Sequence, residues 1–195
     1  MKKFRRKTNL TQGYLQRAAY RYLERYATTE ANLVFILKRK ADRIISREER
    51  DDIKEKKDCI EIEHISQWIK EIVGNCIKHG LVNDKLYAEA RIRVFFNAGN
   101  SLPIIRNKLR AKGVCVNIIN DLITQTVIAT PNVNFKSCIK YARRRRFGPY
   151  RNRPIKEDTA QKEQASMARA GFSYTETKRV LSATQTALDN ILYEK

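Results

Sequence analysis

Apolar side chains recur at every third or fourth position along most of this chain, which is the spacing of amphipathic helices. Runs in which apolar and polar residues alternate, as half-buried strands require, are rare. The first clear helical run begins at Tyr14 and continues through Leu15, Ala18, Tyr22 and Leu23. The sequence therefore predicts an all-α protein.

Each of three predicted helix ends carries a glycine followed by an apolar residue: Gly80-Leu81, Gly113-Val114 and Gly171-Phe172. Glycine adopts positive φ at little cost, and the apolar residue after it folds back onto the helix. Two predicted helix starts are equally well marked. Ser101 offers an N-cap before Pro103 in the first turn, and Ser173 with Glu176 fits a capping box.

The segment from His79 to Val116 combines most of these signals. A helix is predicted to start near Asn83-Asp84, with an apolar face made of Leu86, Tyr87, Ala90, Val94 and Phe95. After a break at 97–100, Ile105 and Leu109 are predicted to face inward from the next helix. In the preceding helix, which is predicted to end at Gly80, Trp68 is expected in the core.

A shift of 72 positions superimposes two parts of the chain. It places Ala18 on Ala90, Leu23 on Phe95, Thr29 on Ser101, Leu33 on Ile105 and Leu37 on Leu109. The alternative is a chance agreement between two amphipathic helices, but the cap and the apolar positions match together. We interpret this as an internal repeat of a helix, a break and a capped helix.

Extended along the chain, this pattern predicts three tandem three-helix repeats stacked as an elongated array. A basic N-terminal arm would occupy residues 1–13. The first repeat would span 14–82, with a charged insertion at 38–63, and the second and third would span 83–130 and 131–195. Residues 38–63 are predicted to form a solvated helix extension, a linker and the start of another helix, because eight acids lie between Glu48 and Glu63.

The charge of the chain points to a polyanionic partner. The 195 residues include 40 Lys and Arg and 21 Asp and Glu, which gives a net charge of +19. Between Asp121 and Glu157 there is no acid. The predicted nucleic-acid or filament-binding residues in that window are Lys140, Arg143, Arg144, Arg145, Arg146, Arg151 and Arg153. Phe147 and Tyr150 add rings for stacking, and a merely solvated basic face is the alternative.

A second basic patch, weaker as a signal, includes Arg106, Arg110 and Lys112. Residues 102–127 also have the outline of a helix-turn-helix. The exposed positions of its second helix would be Asn117, Asn120, Asp121 and Thr124, which include no cation. This composition fits base readout in the major groove poorly, so sequence-specific transcription control is not favoured.

Catalytic and metal-binding signals are weak. The sequence contains no nucleotide-binding loop, zinc-protease or serine-hydrolase motif, so we predict neither an enzyme nor a cofactor. Cys76 and His79 have half-site spacing for a metal, and Cys59 and His64 are near in sequence. If one helix joins His64 to Cys76, however, they lie roughly 18 Å apart at ~1.5 Å per residue. Reduced cysteines and an expected cytoplasmic location agree with the absence of Cys-x-x-Cys pairs and of a secretory signal.

Three runs carry a family resemblance: GLVNDKLYAEARIR from Gly80, PIIRNKLRAKGV from Pro103, and Arg169 to Tyr174 with Val180-Leu181 after it. Together they resemble the RecX family, regulatory proteins that restrain the RecA recombinase. The resemblance extends over roughly residues 14–180. The 38–63 insertion and the arginine run depart from it, which leaves individual site residues open.

This resemblance implies an array of three-helix repeats that binds the RecA filament on single-stranded DNA. It implies that the protein limits filament growth, ATP hydrolysis and strand exchange, acting as a monomer without membrane contact. Arg143–Arg146, with Arg151 and Arg153, are the residues we expect at that contact. The alternative is a basic, helical nucleic-acid-binding protein without a recombinase partner, whose DNA affinity falls steeply with salt.

Overall fold

A computed structural model describes residues 9–51, 59–152, 154–155 and 157–193, and within these ranges it contains α-helices and one 3₁₀ turn but no strand. The all-α prediction is therefore confirmed. The helices are α1 (Gln12–Leu23), α2 (Glu30–Asp51), α3 (Cys59–Lys78), α4 (Asp84–Asn97), α5 (Leu102–Arg110), α6 (Val116–Ala129), α7 (Val133–Arg145), α8 (Thr159–Arg169), α9 (Tyr174–Ser182) and α10 (Gln185–Tyr193), with the 3₁₀ turn at Gly148–Tyr150. No helix in the described ranges is long and apolar enough to cross a bilayer.

The chain divides into two compact units, Met1–Tyr87 and Ala88–Lys195. In the first unit, α1, α2 and α3 surround a core that includes Leu15, Leu33, Leu37 and Ile69. Trp68 packs half-buried against this core, which agrees with the prediction in part.

Local caps define the starts of these helices. The Thr11 hydroxyl accepts from the Tyr14 amide at 3.2 Å, so α1 begins inside the arm predicted for residues 1–13. Residues 1–8 of that arm lie outside the described ranges. Thr29 caps α2 by accepting from the Asn32 amide at 3.1 Å.

Helix α2 continues well past the point where its apolar pattern was expected to stop. Ala41 and Ile44 are buried at the same helical spacing as Leu33 and Leu37. The solvated part of the predicted 38–63 insertion therefore begins later than Lys38. Residues 52–58 of that insertion lie outside the described ranges.

The second unit is built around α7, which contacts α6, α8, α9 and α10. The core beside α7 consists of Phe135, Cys138, Ile139, Ala142, Met167, Phe172, Val180 and Leu188. A break at residues 183–184 separates α9 from α10. There the Thr184 hydroxyl accepts from the Ala187 amide at 3.3 Å, which starts a new helix.

The predicted apolar face of α4 is wrong. Ala88, Ile92 and Phe96 are buried, whereas Leu86 is 62% and Val94 52% exposed. Two rows of apolar side chains run along this helix, both at four-residue spacing. Packing against the neighbouring helices selects one of them, and the periodicity alone does not.

Burial also corrects the internal alignment. Thr29 with Ser101, Leu33 with Ile105, and Leu37 with Leu109 are all fully buried, as the 72-residue shift requires. Ala18 is buried but Ala90 is exposed, so the first helices do not follow that shift. Instead Leu15 and Ala88, Ala19 and Ile92, and Leu23 and Phe96 correspond, each pair 73 positions apart. The segment from Leu23 to Thr29 is one residue longer than the segment from Phe96 to Ser101, which accounts for the change from 73 to 72 positions. The full three-repeat organisation stays a prediction.

The predicted glycine ends are confirmed. Gly80, Gly113 and Gly171 have φ of 70°, 78° and 81°. The amide after each glycine bonds back to the helix: Leu81 N–H to Cys76 C=O at 2.9 Å, Val114 N–H to Leu109 C=O at 3.2 Å, and Phe172 N–H to Met167 C=O at 3.2 Å.

Of the two predicted caps, one behaves differently. Ser173 and Glu176 form the expected capping box. Ser101 stands at the N-cap of α5, but its hydroxyl donates to the Ala170 carbonyl at 2.5 Å. The Leu102 amide is satisfied by Asn134 Oδ1 at 3.1 Å instead, so a side chain from α7 does the capping.

Candidate nucleic-acid interface

The arginine run lies at the carboxyl end of α7. Arg143, Arg144 and Arg145 form its last turn, where cations interact favourably with the helix dipole. Arg146 follows in the left-handed conformation with φ 57°, and the Phe147 amide bonds to the Ala142 carbonyl at 2.9 Å. An arginine thus stands where glycine closes other helices, at a cost of about 1 kcal/mol.

All four arginines are exposed, and within the described ranges none of them forms a salt bridge with a carboxylate. Three are held by neutral groups. Arg143 donates to the Tyr193 hydroxyl at 2.7 Å, which raises the Arg143 pKa, and Arg144 donates to the Ala98 carbonyl. The Arg144 guanidinium also lies over the Tyr141 ring at 5.4 Å, and that of Arg145 over Phe147 at 5.7 Å.

Lys140 belongs to the side of α7 that crosses the end of α4. Its ammonium donates to Asn97 Oδ1 at 3.2 Å, and Ser137, one turn earlier, donates to the Phe96 carbonyl at 3.2 Å. Partial burial, with repulsion from the nearby Lys136, lowers the Lys140 pKa.

A cavity of about 380 Å³ opens beside these groups. It is lined by Asn97, Lys140, Arg143, Arg144, Leu192 and Tyr193. A second cavity of about 400 Å³ adjoins it, sharing Asn97 and Lys140 and adding Arg93 and Lys136 among its walls. Two neighbouring recesses with cationic walls therefore follow one side of α7.

Comparison with known proteins places this architecture in a family. No protein-family model matches the chain. The "Regulatory protein RecX" of Myxococcus xanthus is 31% identical over 183 residues, covering 92% of this chain and 90% of that protein.

The chain belongs to the RecX family.

Other RecX proteins agree with this assignment. A second RecX, from Agrobacterium fabrum, is 31% identical over 111 residues, which is 57% of each chain. A RecX crystal structure matches with a TM-score of 0.60 at 25% identity, over 88% of this chain and 72% of that one. The RecX structure from Lactobacillus salivarius matches with a TM-score of 0.57 at 22% identity, over 91% and 96%, and supports the fold.

In this RecX-family chain, Arg151 has a role that the sequence did not indicate. Its guanidinium makes a two-pronged contact with Glu163, with Nε to Oε1 at 2.9 Å and a terminal nitrogen to Oε2 at 2.7 Å. Both side chains are largely buried, at 17% and 8% exposed, and Glu163 also accepts from the Gly148 amide at 2.9 Å. Arg151 thus anchors the turn after α7, and its part in the predicted contact stays a prediction. Arg153 lies outside the described residues.

The second basic patch is separate from the α7 cavities. Arg110 and Lys112 are exposed near the end of α5, while Arg106 is half-buried, and none of the three lines either cavity. On α6, Asn117, Asn120, Asp121 and Thr124 are all exposed as predicted, and the helix bears no cation. This arrangement again disfavours a helix-turn-helix that reads bases.

The remaining sequence signals do not assemble into a site. Helix α3 is continuous, so the break that would bring His64 and Cys76 together is not there. No group of three metal-ligating side chains occurs within the described ranges. Burial and the charge of Glu176 raise the Cys138 pKa to about 12, so this thiol stays protonated near neutral pH.

Sequence reasoning missed three groups that shape this surface. Tyr193 and Asn97 carry no local signal, because their partners are 50 and 43 positions away. Glu163 could have been found, since it occupies an otherwise apolar row of α8 with Met167.

Proposed function

We propose that this RecX-family protein regulates the RecA recombinase by binding its filament on single-stranded DNA. Binding limits filament growth, ATP hydrolysis and strand exchange in recombination and DNA repair. The protein acts in the cytoplasm as a monomer, by binding rather than by catalysis. The observation that carries the proposal is family membership, supported by a regulatory relative that aligns over 92% of the chain.

The surface chemistry at the end of α7 supports the same partner. A recombinase filament on DNA carries regularly spaced phosphates, and cations that neutralise phosphates release counterions. The four exposed arginines, Arg143–Arg146, form no salt bridge with a carboxylate in the described structure, although the charge of Asp189 acts on Arg143. Keeping Arg146 in a strained conformation costs free energy, and such strain is concentrated at functional sites.

The experiment that tests this proposal is ATP hydrolysis by RecA filaments already formed on single-stranded DNA. The protein is added well below the recombinase concentration, and the assay is repeated with excess naked DNA. Regulation of the filament predicts inhibition at substoichiometric amounts that persists in the presence of competitor DNA.

The opposite result identifies the alternative. Inhibition that appears only near saturation and disappears with naked DNA would mean that the protein competes for DNA. The chain would then act as a basic nucleic-acid-binding protein without a recombinase partner, for which its net charge of +19 already provides affinity.

A further inference from the structure

The cavity at the end of α7 combines two chemical characters. Lys140, Arg143 and Arg144 supply three cations, while Leu192 and the Tyr193 ring supply an apolar wall. Its volume of about 380 Å³ lies in the range of pockets that hold small organic ligands. A carboxylate side chain alone would leave most of this space empty.

The three cations are positioned before any ligand arrives. Each is held by a neutral acceptor: the Asn97 amide for Lys140, the Tyr193 hydroxyl for Arg143, and the Ala98 carbonyl for Arg144. None of the three forms a salt bridge with a carboxylate within the described ranges, and the charge of Asp189 acts on Arg143 from beyond salt-bridge distance. Little side-chain entropy is therefore lost when an anion binds.

The type of anion follows from the geometry of these donors. Arginine presents a planar fork that matches phosphate oxygens, and lysine adds a point charge. An aromatic ring beside such cations is typical of sites that hold single-stranded nucleic acid, because any base can stack on it. Tyr193 supplies that ring at the edge of the cavity.

We propose that this cavity receives one nucleotide unit of single-stranded DNA, with its phosphate on Lys140, Arg143 and Arg144 and its base or sugar against Leu192 and Tyr193. This inference deepens the proposed function and rests on it: the cavity side of α7 touches the DNA, not the recombinase.

The adjoining cavity would continue the path of the single-stranded DNA along α7. Lys136, Lys140 and Arg144 lie one helical turn apart on α7, about 5–6 Å between successive side chains. Lys136 and Arg93 line the second cavity, which shares Lys140 with the first. Glu89 also lines it and pairs with Arg93 at 3.8 Å. The phosphate of a neighbouring nucleotide would therefore lie toward Lys136 and Lys140.

The test measures binding of a fluorescently labelled oligothymidylate to the full-length protein by anisotropy, without recombinase and at several salt concentrations. Arg143→Ala is expected to weaken binding about tenfold and to reduce the log–log salt slope by about 0.7. The matched control is Arg169→Ala, because Arg169 is exposed in the last turn of α8 and lines neither cavity. We expect it to change affinity less than about twofold.

Substitutions at Tyr193 test whether its ring packs against the nucleotide. Tyr193→Phe keeps the ring and loses only the hydroxyl that orders Arg143, so affinity should fall slightly. Tyr193→Ala removes the ring and should weaken binding roughly fivefold or more. Circular dichroism melts confirm that each variant is folded.

Inhibition of recombinase ATP hydrolysis is measured on the same variants. Equal losses of oligonucleotide binding for Arg143→Ala and Arg169→Ala would overturn the proposed nucleotide site in favour of a diffuse basic surface. If a cavity variant keeps full oligonucleotide binding but loses inhibition, the cavity contacts the recombinase and not DNA. That result would also overturn the nucleotide site, while the proposed function would stand. Full oligonucleotide binding by the wild-type protein without any inhibition would defeat the proposed function but leave the cavity assignment intact.

Discussion

The carboxyl ends of α4 and α7 close in the same way with different residues. At α4, Gly99 has φ 71° and the next amide, of Asn100, bonds back to the Phe95 carbonyl at 3.0 Å. At α7, Arg146 has φ 57° and the Phe147 amide makes the equivalent bond at 2.9 Å. One end uses the residue that favours this backbone, and the other uses a cation that does not.

Close packing against α7 explains why the residue that closes α4 is a glycine. A Cβ at Gly99 would lie 2.8 Å from the Tyr141 amide nitrogen, because α7 crosses directly over this turn. Arg146 is exposed, so its side chain is sterically allowed and only the backbone is strained. The difference indicates that the α4 end serves packing, whereas the α7 end keeps its charge at some cost in stability.

The largest expected effect concerns the charge itself. Changing Arg143–Arg146 together to glutamate should abolish inhibition of recombinase ATP hydrolysis, since attraction to phosphate becomes repulsion. The protein should remain folded because all four side chains are exposed. A folded variant with normal inhibition would contradict the functional assignment of the α7 end.

The turn after α7 provides the next largest effect. Glu163→Gln leaves the Arg151 guanidinium largely buried without its counter-charge and should destabilise the protein by about 3 kcal/mol. Urea denaturation measures this change. In the matched control, Arg151→Met combined with Glu163→Gln, the loss should be much smaller because both charges are removed and the glutamine oxygen can still accept from the Gly148 amide. A large loss in the double variant would show that the pair itself stabilises the fold.

A smaller effect is expected at the end of α4. In Gly99→Ala the new Cβ would clash with the α7 backbone, and alanine would have to adopt positive φ. We expect the substitution to lower the free energy of unfolding by about 2–3 kcal/mol. The matched control is Gly74→Ala inside α3, where no atom lies within 4 Å of the new Cβ. There alanine should add up to about 1 kcal/mol of stability. Similar thermal shifts for the two variants would argue against the close approach at Gly99.

The smallest expected effect comes from placing glycine at the end of α7. Arg146→Gly should stabilise the protein by about 1 kcal/mol, because glycine takes this conformation without strain. Arg145→Gly, one position earlier and still helical, should destabilise it by about 0.5–1 kcal/mol. Denaturation midpoints of the two variants should therefore move in opposite directions. A loss of stability in Arg146→Gly would mean that the arginine side chain contributes more than the strain removes.

The signals that predicted structure correctly are local ones. The Gly80, Gly113 and Gly171 ends and the Ser173 capping box depend on residues at most five positions apart. The arginine run could also be located from the sequence, since consecutive cations cannot all be buried.

The signals that failed depend on distant partners. The arginine run does not reveal that Arg151 pairs with Glu163 of the next helix. The repeat alignment was right for the second helices and one residue off for the first, because burial reveals a connection length that apolar spacing does not.

By itself, the sequence determined that this chain is helical, where several helices begin or end, and where its positive charge is concentrated. Periodicity, caps and charge act over a few residues, so they can be read without the fold. The tertiary structure alone decided which row of α4 is buried, that the Ser101 hydroxyl serves a carbonyl 69 positions away, and that Tyr193 meets Arg143 beside a cavity. Those choices depend on which surfaces pack together, and packing joins residues that no local pattern connects.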